Sequence, residues 1–182
     1  ALGSQALKSA TTAGNNTAIG RSALNSNTTA DNNTAVGYNA LTENTTGTAG
    51  VAVGAFALDA NTTANNNTAI GYASLGANTT GYENTSIGAS SLDANTTGAF
   101  NTGVGQGSLG ANTTADYNTA VGHQALFNNT TGTQNNALGA ASLYTNSTGS
   151  YNTSIGQAAM YYNTTGANNT AVGDNALFSN TT

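Results

Sequence analysis

The chain has no cysteine, no proline and no tryptophan among its 182 residues. Without cysteine there is no disulfide framework and no thiolate metal site, and the redox compartment stays open. Charge is nearly as scarce, at 5% of residues against about 25% in an ordinary soluble domain. A net charge of −5, from seven acids and two bases, is too thin to steer the chain toward nucleic acid or an anionic membrane. No run approaches the ~18 apolar residues of a membrane span. The expected partners therefore include neither nucleic acid nor a bilayer. No basic-then-apolar leader and no initiating methionine stand at the start, which reads as a mature product or an excerpt of something longer.

What is present is a period. Gly3, Gly20, Gly37, Gly54, Gly71, Gly88, Gly105, Gly122, Gly139, Gly156 and Gly173 are each 17 residues apart, with no insertion. With this glycine as position 0, position 3 is always Ala or Ser, and position 4 is Leu from Leu7 to Leu177 except at Met160. Position 7 is Asn from Asn27 to Asn180, with Ala10 the exception, and position 9 is Thr in every repeat from Thr12 to Thr182. Position 13 is Asn except at Gly50, and position 14 is Thr except at Val51 and Asn136. Position 15 is Ala, Ser or Gly, and position 16 is Ile, Val or Leu. Positions 1, 2, 5, 6, 11 and 12 vary.

A unit this short cannot hold two packed helices, which need about 33 residues or more. Asn, Thr and Gly at this density also oppose helix, whereas short strands separated by Asn/Gly turns fit. The period predicts an all-β solenoid, a β-roll or β-helix with one repeat per coil and eleven coils, forming one domain over residues 1–182. Stacked at ~4.8 Å, the coils make a rod about 50 Å long. Neither end carries a capping sequence, so the expected object is a segment of a longer array or an end-to-end fibre.

Within a coil, Asn33 to Gly37 reads as a first strand, and Leu at position 4 as the core residue of a second. Alternation places positions 14 and 16 on one face. Val51, replacing Thr at position 14, favours that face as the inner one, with position 15 facing the other way. The small residues at 15 (Ala18, Ala35, Ala52, Ala69, Ser86, Gly103) admit two readings. They are a smooth column for close approach of another chain, or they are core filler. The glycine at 0 marks a corner or a close backbone approach.

The run Gly50-Val51-Ala52-Val53-Gly54 resembles the head repeat of trimeric autotransporter adhesins. Asn33 to Leu41 is similar to repeats of phage tail fibres and other surface fibres. The resemblance implies a left-handed β-roll, trimerisation and a place on a cell or virion surface. The chain departs from the adhesin head in its longer period and its Asn-Thr-Thr segment.

Three features invite a functional reading. Asn27, Asn44, Asn61, Asn78, Asn95, Asn112, Asn129, Asn146, Asn163 and Asn180 all match the N-glycosylation acceptor pattern, as do Asn15, Asn32, Asn66, Asn84, Asn128, Asn152 and Asn168. A glycan-coated rod would follow, although Asn also stacks in solenoid turns. Phe127, Tyr144, Tyr161 and Phe178 share position 5 in consecutive repeats. They predict a stacked aromatic ladder, able to hold sugar rings or a neighbouring subunit, or simply to stiffen an edge. Thr columns at positions 8 and 9 raise ice binding, but adjacent positions point to opposite faces and make no flat array.

Catalysis has little to work with. His123 is the only histidine, Asp59 and Asp93 lie two coils apart, and the remaining acids scatter. No catalytic residue, metal site or cofactor is expected. The leading expectation is a structural extracellular fibre whose partner is itself; a carbohydrate-binding adhesin surface is the alternative.

Overall fold

The computed structural model describes residues 1–182 and contains no helix. Ten three-residue strands, β1 (Thr17–Ile19) to β10 (Thr170–Val172), occupy positions 14–16 of successive repeats. They form one parallel sheet in chain order β1 through β10. Thr68 pairs with Thr85, Ala69 with Ser86 and Ile70 with Ile87, so the register advances by one full repeat at each layer. In the first repeat, Leu2 contributes a single bridge to Ile19. The chain is an all-β solenoid with one 17-residue repeat per coil, as the period predicts.

The strand is shorter than expected, and the second strand is absent. The segment around Leu at position 4 is a pair of consecutive turns. The N–H of Ala23 donates to Gly20 O at 3.4 Å, and that of Asn27 donates to Leu24 O at 3.3 Å. The leucines sit at φ near +50°, for example +54° at Leu75 and +50° at Leu92. This left-handed backbone costs a non-glycine residue about 1–2 kcal/mol. It persists because it aims the leucine inward and its N–H at the next coil: Leu75 N–H donates to Ser91 O at 3.0 Å. Only 18 of the 120 backbone–backbone hydrogen bonds lie within the strands. The turns therefore carry most of the bonding that holds the fold together.

The facing of the strand is opposite to expectation. Position 15 points inward: Ala35, Ala52, Ala69 and Ser86 are fully buried. Positions 14 and 16 point outward, with Ile70 and Ile87 still 39% and 38% exposed. The core is one column of Leu24, Leu41, Leu58, Leu75, Leu92, Leu109, Leu126, Leu143 and Met160, faced by Ala or Ser from positions 3 and 15. A coil of this circumference has room for one large side chain. The two β-branched residues of the strand would overfill it, since interiors pack near crystal density. The uniform smallness of position 15 is thus the core signal. Leu75 and Leu92 do stack along a common spine, but no valine or isoleucine joins them.

Columns 3 and 15 meet across the interior and adjust to each other. Ser74 Oγ donates to Ser86 Oγ at 2.7 Å, and Ser142 Oγ donates to Ser154 Oγ at 2.7 Å. Gly103 occurs where a Cβ would fall 2.6 Å from Ser91 Oγ. At position 0 the backbones themselves touch. Gly88 has φ +134°, and a Cβ there would lie 2.6 Å from the carbonyl carbon and oxygen of Gly105. No side chain fits such an approach.

Candidate interaction surfaces

The rod has no cavity, and no three His, Cys, Asp or Glu side chains converge as a metal site would require. Chemistry on this molecule is therefore a matter of which columns reach its surface.

The asparagines at position 7 do not. Asn27, Asn44, Asn61, Asn78, Asn95, Asn112, Asn129, Asn146 and Asn163 are buried, and Asn180 is half-buried. From Asn44 to Asn163 each side-chain nitrogen donates twice. Asn95 Nδ2 donates to Asn78 Oδ1 and to Gly98 O, both at 2.9 Å, and Asn95 Oδ1 accepts from Asn112 Nδ2 at 2.9 Å. The ladder runs without interruption from Asn27 to Asn180. N-glycosylation would modify the very nitrogen that the ladder uses, inside a packed corner, so the expected sugar column has no accessible acceptor here in the folded rod. Sequence could not separate the two readings, because the triplet Asn-Thr-Thr satisfies both.

A second asparagine column, at position 13, locks the same corner from the preceding coil. Asn101 N–H donates to Asn84 Oδ1 at 2.9 Å, and Asn101 Nδ2 donates to Ala115 O at 2.8 Å. The carbonyl at position 10 is the meeting point: Gly98 O accepts from Asn84 and from Asn95. These pairings satisfy buried amides that would otherwise each cost about 1–3 kcal/mol. Among the additional acceptor matches, Asn84 and Asn152 are buried in this column and Asn128 is half-buried. Asn15, Asn32, Asn66 and Asn168 are exposed, at φ between +55° and +62°.

The aromatic ladder forms. Phe127 stacks on Tyr144 with ring centres 5.6 Å apart, Tyr144 on Tyr161 at 5.0 Å, and Tyr161 on Phe178 at 5.4 Å. The rings thus cover one another's faces. The open face of Phe127 lies against Gly110, where a Cβ would come within 2.8 Å of Cε2. Sugar binding by ring stacking needs free faces, and this ladder offers chiefly edges. Its geometry favours stiffening of the rod.

Two further aromatic groups escape a column-by-column reading because they straddle adjacent positions. Tyr38, Phe56 and Tyr72, at positions 1 and 2, meet edge to face at 5.2 and 6.0 Å. Tyr82, Phe100 and Tyr117, at positions 11 and 12, meet at 5.1 and 4.8 Å. Pooling neighbouring positions would have revealed both. Arg21 adds its guanidinium 5.8 Å from the Tyr38 ring centre.

Asp59 and Asp93 lie closer than their two-coil separation implies. Both lean into the gap at Gly76, where a Cβ would stand 3.0 Å from Asp93 Oδ1 and 3.5 Å from Asp59 Oδ1. Partial burial raises the pKa of both carboxyls; at Asp59 the charges of Asp93 and Glu43 add to the rise. His123 is exposed.

The outer face of the sheet is an apolar surface. Along its whole height run the position-16 side chains, Ile19, Val36, Val53, Ile70, Ile87, Val104, Val121, Leu138, Ile155 and Val172, beside a position-14 column of mainly Thr. No charged residue interrupts either column. Tyr38 and Tyr72 follow the strands on one rim; Tyr82, Tyr117 and Tyr151 precede them on the other, and all five are exposed. Comparison of the chain with protein-family models, with curated proteins and with solved structures finds no match.

Proposed function

We propose that this chain is a structural element of an extracellular fibre, on a cell or virion surface, and that it associates with copies of itself through the outer face of β1–β10. One observation carries the reading: ten aliphatic side chains stand in an unbroken, uncharged column on the outside of the rod. Contiguous exposed apolar surface of this kind marks an interaction site. Its regularity suits a partner with the same repeat. Three rods with their sheets turned to a common axis would bury the column, in keeping with the resemblance to trimeric adhesin heads. The face between two chains alone is narrow. Three-residue strands over ten layers span only about 450 Å², short of the ~800 Å² per partner of a standard interface. Tyrosines on the two rims would widen the contact, as aromatic residues commonly do.

The remaining features fit a passive, stiff element. Amide ladders, hydroxyl ladders and stacked rings all tie each coil to the next, and each is a nearest-neighbour term that extends with length. Sedimentation of the purified chain, beside the double substitution Ile70→Lys and Ile87→Lys, tests the interface. The unsubstituted chain should sediment as an oligomer and the variant as a monomer with an unchanged circular-dichroism spectrum. A parent chain that is monomeric at tens of micromolar, or a variant that stays assembled, would refute it.

A further inference from the structure

The exposed threonines at position 9 have no structural task that explains their constancy. Position 8 does have one. Thr79 Oγ1 donates to Thr96 O at 3.1 Å and Thr96 Oγ1 to Thr113 O at 3.0 Å, so each hydroxyl clips its coil to the next. Yet position 8 admits Ser147, while position 9 is Thr in every repeat from Thr12 to Thr182. All of these position-9 side chains are exposed, and none of their hydroxyls makes a hydrogen bond within the chain. From Thr29 to Thr165, each projects from a corner between a buried Asn at position 7 and a small residue at position 10, such as Gly98 after Thr97. The small neighbour keeps bulk away from the hydroxyl, and the β-branch restricts its χ1. The result is a line of hydroxyls repeating at the coil spacing of ~4.8 Å.

We infer that this column is an acceptor array for O-linked sugar, with Oγ1 of the position-9 threonines as the attachment atom. The buried amides of position 7 cannot play that part in the folded rod; the triplet Asn-Thr-Thr offers its third residue, not its first. The chemistry is transfer from a nucleotide-activated sugar by a glycosyltransferase. Threonine Oγ1 attacks the anomeric carbon, and the bond from that carbon to the nucleoside diphosphate breaks, with the diphosphate taking the electron pair. The hydroxyl proton passes to a base of the transferase. A sugar sheath along one corner would hydrate a rod that carries almost no charge, and would leave the sheet face free for other chains. The inference does not depend on the proposed interface, since assembly is read by sedimentation and modification by mass.

Mass spectrometry of the chain isolated from its native source provides the test, with fragmentation that retains side-chain groups. Sugar increments should map to position 9, for instance to Thr80, Thr97 and Thr114. The triple substitution Thr80→Val, Thr97→Val and Thr114→Val, made in the same source, preserves shape. It should lose those three increments with the circular-dichroism spectrum unchanged. A bare intact mass would overturn the inference. So would increments confined to the exposed Asn15, Asn32, Asn66 and Asn168, or increments that survive the triple substitution.

Discussion

The coil has two walls that place their apolar side chains in opposite directions. On the turn wall, at positions 0 to 6, the large aliphatic residue faces in: Leu92 is wholly buried. On the strand wall, at positions 14 to 16, the large apolar residue faces out, and the inward place goes to alanine or serine. A solenoid this narrow needs only one wall to supply the large side chains of its core. The other wall is thereby released to carry an apolar surface outside. The difference teaches that hydrophobicity in a thin rod does not report burial; the size of the opposing side chain does.

Truncating an apolar residue on each wall should break the comparison open most widely. Leu92→Ala leaves a hole in the leucine spine and should cost about 2–5 kcal/mol. Ile87→Ala, measured at a dilution where the chain is monomeric, should stay within about 0.5 kcal/mol, as a surface substitution does. Urea unfolding followed by circular dichroism separates the two, and equal costs would show that the strand wall is as much core as the turn wall.

An effect of similar size is expected at the corner that joins the walls. Asn95→Ala removes two donated bonds and the acceptor used by Asn112. Leaving Asn78 Oδ1 and one Asn112 N–H unpaired in the interior should cost about 1–3 kcal/mol for each of the two groups. The same unfolding assay checks it; a neutral result would mean the amide ladder is ornamental, and the corner held by backbone bonds alone.

The smallest effect concerns Asp59 on the turn wall. Burial, then the charges of Asp93 and Glu43, raise its folded-state pKa above the usual carboxylate range. Between the unfolded and folded values the native state holds more protons. Stability should therefore fall as pH rises through that window and be lowest above it. Asp59→Asn should flatten this dependence and raise the unfolding midpoint slightly at neutral pH, with no gain at acid pH. Thermal melts of both proteins at several pH values test the sign; a midpoint lowered at neutral pH would contradict it.

Much of this architecture could be read from residues alone. The spacing of Gly71, Gly88 and Gly105 fixed one coil per repeat, and the constancy of Leu75 and Leu92 identified the spine. The stacking of Tyr144 on Tyr161 followed from their shared position. What could not be read was direction. Alternation at Thr85-Ser86-Ile87 defines two faces but does not say which is inner, and a one-residue shift inverts them. The left-handed backbone at Leu75 and Leu92 was equally hidden, because glycine, its usual marker, is absent there. Asn95 looked the same as ladder rung or sugar acceptor until its amide was seen buried.

The sequence by itself determined the repeat, the layer spacing and the residues that stack on their own kind, because identical units related by a constant advance must place like upon like. Only the tertiary structure decided which of those columns are inside. That choice depends on how much volume the closed coil encloses, a property of the whole turn. With room for one leucine and two small side chains, it sends the isoleucines and the position-9 threonines outward.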